Sequence, residues 1–213
     1  MIDLPPHCRT EIRDWIRLGL LGILGGMILG IWWTGVRKKI QYGDIGTPAA
    51  VITADGKEHL QLPPGLHWEA GVKLKLSHGH VILITGVLPM CFAMAIFLVH
   101  ACGGRPTDKG MMRAAFWLYA IGSVGAVGIM VYRGAASFYA IQPAIEAGEL
   151  NFAAIQKTLF GGSKAIKGAS YGISHSLLAV GCGILIHQLW RGVGKMKIDT
   201  PAPEASTGDA PAA

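Results

Sequence analysis

The sequence predicts an all-α integral membrane protein. Four transmembrane helices form a bundle, with a small hairpin-like cap in the first long loop and a short interfacial helix in the second. Three observations predict it. Apolar runs at about 15–36, 77–100, 113–132 and 169–190 each reach the roughly 20 residues that cross a bilayer. Of 213 residues, 51% are hydrophobic and only 15% charged, which excludes a disordered chain and leaves no room for a large soluble domain. Glycine is plentiful and concentrated in the apolar runs, as in closely packed membrane helices.

The formal net charge is +6. In a soluble chain that would raise the question of nucleic acid. Here Lys and Arg flank the apolar runs, so the partner is the lipid bilayer and not nucleic acid. The cysteines are Cys8, Cys91, Cys102 and Cys182, without a CxxC pair or a CxxCH haem-attachment motif, so a covalent c-type haem has no support. Cys91 and Cys182 read as small apolar residues inside spans.

In chain order, residues 1–14 read as a polar arm rather than a cleavable signal, because the first apolar run lacks a small-residue cleavage site. Span one carries Gly22, Gly26 and Gly30 four apart, on one helix face that lets a second helix approach closely. Trp32 and Trp33 suit an aromatic belt. In the long connection that follows, 50–62 alternates around Asp55-Gly56, a hairpin signal. His59 and His67 there read as ordinary polar surface residues. Span two carries Pro89, a kink candidate. A short basic connection makes span three its antiparallel neighbour. Span three has a small-residue surface of Gly122, Ser123, Gly125, Ala126 and Gly128. Pro143 breaks the second long connection. Asn151 is an N-cap candidate for a short helix ending before Gly161-Gly162, with Phe152, Ile155 and Leu159 on one face. Span four follows, within a membrane domain of about 15–197, and the Pro- and Ala-rich tail, 198–213, reads as disordered.

Counting antiparallel crossings puts the chain ends on one membrane face and both long connections on the other. His78, His80, Tyr132, Arg133 and His175 all fall on the long-connection side. Ionisable residues within spans are costly and usually find partners. Neutral imidazole is a good ligand for iron, copper or zinc. His80 on span two and His175 on span four are placed to be axial ligands of a b-type haem, with Arg133 toward a propionate and Tyr132 hydrogen-bonding it. The glycine surfaces are expected to leave room for the porphyrin. His100 and His187 match poorly in depth and read as interfacial. An alternative is a three-histidine site, His78, His80 and His175, holding copper, zinc or non-haem iron with an open position. On a helix, residues two apart point roughly 200° apart, so that site needs a non-helical entrance segment. The ordinary alternative stays beside both: entrance histidines that bond loop carbonyls and hold nothing.

These segments resemble a family of small, uncharacterised four-helix bacterial membrane proteins. Its members carry an HxH at the start of helix two, here His78-Gly79-His80. A Met-Val-x-Arg-Gly run ends their helix three, here Met130-Val131-Tyr132-Arg133-Gly134, and a Gly-x-x-His opens helix four, here Gly172-Ile173-Ser174-His175. The match covers about 74–189 and departs in the first long connection and the tail. The resemblance implies the bundle and the same-side cluster but no activity. A loose likeness to b-type cytochromes and haem–copper oxidases is analogy only.

The expected function is thus a membrane-embedded b-type haem protein for electron transfer or small-ligand binding. Its rivals are a non-haem metal-dependent membrane enzyme and an accessory subunit of a larger respiratory or photosynthetic complex. No catalytic residue is assigned. The expected location is the bacterial inner membrane, with the chain ends cytoplasmic.

Overall fold

A computed structural model describes residues 4–37, 49–52, 58–61, 66–148 and 152–194. Six α-helices carry the fold: α1 (Pro6–Arg37), α2 (Leu66–His80), α3 (Leu88–Ala101), α4 (Lys109–Glu146), α5 (Phe152–Thr158) and α6 (Lys164–Val193). A π-helical segment, Val81–Val87, joins α2 to α3 into one continuous span. Four helical stretches are long and apolar enough to cross a membrane: Pro6–Val36, Ala70–Ala101, Lys109–Ile141 and Lys164–Val193. At most 39% of the most apolar window of any of them is buried in protein. The remainder is apolar surface such as Leu21, Ile31 and Trp190, which lipid satisfies and water does not. The chain is a multi-pass membrane protein.

Strands β1 (Ala49–Ile52) and β2 (Glu58–Gln61) pair antiparallel, with Ala49 opposite Gln61 and Ile52 opposite Glu58. This is the expected hairpin. Its turn, with Asp55-Gly56, lies outside the described residues, as do Asn151 and the 198–213 tail.

Two boundaries differ from expectation. The first helix begins at Pro6, so most of the supposed polar arm is helical. Proline is favoured in a first helical turn, where its missing N–H is no loss. Cys8 and Trp15 are fully buried there and Glu11 nearly so. The helix α4 continues past Tyr132, through Pro143, to Glu146. Pro143 deprives only the carbonyl of Tyr139 of its donor, and Tyr139 is exposed near the helix end.

Adjacent spans pack in sequence order, and span four lies mainly against span three. Glycine makes these contacts. A Cβ on Gly22 would stand 2.1 Å from the carbonyl oxygen of Thr85, and one on Gly122 2.3 Å from the amide nitrogen of Leu178. One apolar cluster, around Trp15, Ile96, Met112, Tyr119 and Leu185, fills the end that bears the chain termini. Rings of Phe92, Phe116 and Tyr119 meet Trp15 edge-on at 5.2–5.3 Å. A second cluster, with Val36, Leu74, Phe138, Ile141 and Ile155, fills the long-connection end. Ile155 and Leu159 are buried, so α5 covers the bundle end, as their shared face predicted.

Candidate functional site

The helix α2 is regular through His80, and the π-helix begins at the next residue. His78 and His80 therefore diverge around the helix. A Cβ on Gly30 of span one would lie 3.8 Å from the His78 ring, which marks where that ring points. Its Nδ1 is buried without a partner. The non-helical entrance required by a three-histidine site is not what forms. Among the described residues no three His, Cys, Asp or Glu side chains converge to hold a metal ion.

His80 and His175 share one arrangement. Nδ1 of His80 lies 2.8 Å from the carbonyl oxygen of Leu76, and Nδ1 of His175 lies 2.8 Å from that of Tyr171. A carbonyl only accepts, so each Nδ1 carries the proton. In a neutral ring Nε2 then presents its lone pair outward. Such a second bond is what fixes a ligating histidine's tautomer and orientation.

The two acceptor residues locate the rings. Leu76 and Tyr171 both line a cleft of about 230 Å³ between spans two, three and four, together with Lys73, Ser77, Met130 and Arg133. Residues four apart share a helix face. His80 and His175 lie one turn deeper on the same two helices, and neither lines the cleft itself. Span four packs against span two chiefly at the other end, where Val99 meets Gly192. Near the histidines the two helices stand apart, on either side of span three.

Arg133 and Tyr132 do not act together. The guanidinium Nε of Arg133 donates to Gln156 Oε1 at 2.7 Å, and Nη1 to the Tyr171 hydroxyl at 3.5 Å. Adjacent helical residues point about 100° apart. Tyr132 accordingly faces α6's approach, where its hydroxyl accepts from the Phe160 amide at 3.4 Å and its ring meets that of Phe160. Phe160 has φ 57°, in the left-handed region bulky residues avoid, so this contact sits on a strained turn. Tyr171 was missed by sequence reasoning. Its ring stacks on His175 at 5.9 Å, and its spacing of four from that histidine was the available signal.

The glycine faces do not make the room expected of them. Gly22 and Gly26 are filled by span two, and Gly122 and Gly125 by span four. Gly128 alone of the named glycines on span three has nothing within 4 Å. The space beside spans two and four at this end is the cleft of about 230 Å³.

At the opposite face the structure gathers a second group that the sequence hid. Cys8 Sγ lies 3.1 Å from His100 Nε2 and 3.3 Å from His7 Nε2. His100 Nδ1 is 2.8 Å from the Ile96 carbonyl, so the thiol donates to Nε2. That bond occupies His100, and His187 is exposed at the surface. Treating 1–14 as an arm concealed the cluster, although Cys8 and His100 close the same membrane face.

Compared with models of known protein families, with curated proteins and with solved structures, the chain matches none.

Proposed function

We propose that spans two and four part at the cleft beside span three to take a b-type haem, which His80 and His175 would hold. The observation that carries this is the pair of Nδ1–H bonds to the Leu76 and Tyr171 carbonyls, which leaves both Nε2 atoms available one turn from residues that line one cleft. Lys73 and Arg133 line the same cleft, and their cations suit a carboxylate-bearing macrocycle. Met130 gives it an apolar wall. When bound, such a group would supply one-electron transfer or small-ligand binding. The residues of this chain would bind and orient the group. Tyr171 would brace both His175, by stacking, and Arg133, by its hydroxyl.

One feature supports placing the site toward the periplasm of a bacterial inner membrane, with chain ends cytoplasmic. The short connection between spans two and three carries Arg105 and Lys109 on the chain-end side. Short loops govern orientation more than long ones.

The test is an absorption spectrum of the purified protein, oxidised and dithionite-reduced, with metal analysis on the same sample. A Soret band with sharp reduced α and β bands, lost in His80→Ala and in His175→Ala, is the expected result. A featureless spectrum with stoichiometric copper, zinc or iron would favour a non-haem metal enzyme. Neither haem nor metal, in protein made with both supplied, would overturn both and leave the accessory-subunit reading. Co-purification with a larger complex in mild detergent tests that last reading.

A further inference from the structure

A larger cleft, about 530 Å³, opens at the long-connection face between α2, α4, α5 and the start of α6. Lys73, Arg133, Lys157, Lys164 and Lys167 line it, and among its described lining residues there is no carboxylate. These cations come from four helices, and folding brings Lys73 and Arg133 to the lysines of 157–167. Like charges brought together at a membrane face repel, and an apolar neighbourhood screens them poorly.

The arrangement is braced. Arg133 is partly buried, and its described partners, Gln156 and Tyr171, are neutral. Gln156 is itself fixed, since its Nε2 donates to Ser137 Oγ, which in turn donates to the Arg133 carbonyl. This network orients the guanidinium without neutralising it. The start of α6, capped by Ser163 Oγ accepting from Ile166 N, borders the same cleft and adds the positive end of a 30-residue helix.

We propose that this cleft binds a ligand carrying two or more negative phosphate charges in all, either an anionic phospholipid headgroup with two phosphodiesters or a soluble phosphate. Several point-charge lysines around one oriented arginine suit a phosphate's spread of oxygens better than a single carboxylate. Basic pockets between membrane helices take such headgroups. The proposal goes beyond the haem reading: Lys73 and Arg133 border both clefts, whereas Lys157, Lys164 and Lys167 line only this one.

The experiment uses the full chain in neutral detergent, as wild type, Lys164→Gln/Lys167→Gln, Arg133→Gln and, at the opposite face, Lys109→Gln. Melting is followed against cardiolipin, phosphatidylcholine and pyrophosphate. Saturable stabilisation by cardiolipin alone identifies the lipid source, and by pyrophosphate the soluble one; either supports the site. In both cases the double variant is expected to bind about tenfold or more weakly, for two lost charge-assisted bonds, while Lys109→Gln binds as wild type. Ligand-free melting of the double variant should not fall, because Lys164 is exposed, Lys167 partly so, and removing their charges relieves repulsion. No saturable response to either anion, equal response to phosphatidylcholine, or a double variant that binds like wild type overturns the proposal. His80→Ala should leave this binding intact, which separates its failure from that of the haem reading.

Discussion

The hydroxyl of Tyr119, on span three, donates to the carbonyl of Ile84, on span two, at 2.6 Å. Ile84 lies inside the π-helical segment, where Leu88 N donates five residues back to the Leu83 carbonyl. In that register the next donor, to Ile84, would be residue 89, which is proline and has no N–H. Tyr119 supplies the missing donor from a neighbouring helix. The wide turn begins immediately after His80, so it sets how the histidine-bearing end of span two is rotated relative to the rest.

Tyr119→Phe should therefore lower stability by about 1–3 kcal/mol, the usual effect of orphaning a buried acceptor. Pro89→Ala returns a backbone N–H to the same carbonyl. The double variant should then lose less than the sum of the two single losses. Thermal melts of all four proteins in one detergent measure that coupling, and strict additivity would refute the substitution of hydroxyl for amide.

Gly22→Ala and Gly122→Ala should each destabilise by about 1–3 kcal/mol, because their new methyl groups meet backbone rather than a movable side chain. Gly128→Ala has open space and should be neutral or stabilising by up to about 1 kcal/mol. Equal melting temperatures for the three variants would show that glycine spacing does not set these approaches.

Nitrogen-15 spectra of histidine-labelled protein should find His80, His100 and His175 as the Nδ1–H tautomer when neutral, since each Nδ1 faces a carbonyl at 2.8 Å. Assigned Nε2–H signals for His80 or His175 would remove the observation on which the axial-ligand reading stands.

Cys102 is exposed and Cys8 fully buried against His100. A water-soluble maleimide should label Cys102 in the folded protein and reach Cys8 at least about tenfold more slowly. His100→Ala opens the packing around the thiol and should speed its labelling. Comparable wild-type rates at the two cysteines would show that the start of α1 is not docked.

What could be read in advance followed from one-dimensional physics. Span number, the common face of His80, Arg133 and His175, and the amphipathic character of α5 depend on hydropathy, crossing number and helical period. The start of α1 was misread because Cys8, Glu11 and Trp15 look like a mixed polar stretch until other spans surround them. Pro143 was misread as a break because local sequence cannot show that the helix continues through it to Glu146.

The sequence by itself determined that the chain crosses the membrane, because about 20 apolar residues must satisfy their backbone internally as helix. It also determined at which end of the bundle His78, His80, His100, His175 and His187 lie. Only the tertiary structure decided what each side chain meets there. Glycine stripes close on a neighbouring helix instead of holding a macrocycle, because backbones that can touch do so. Tyr119 completes a hydrogen bond that Pro89 leaves open. Five cations from four helices line one cleft. Each of these depends on contacts between residues far apart in sequence, and helical period fixes only the face a side chain occupies, not the neighbour that packs against it.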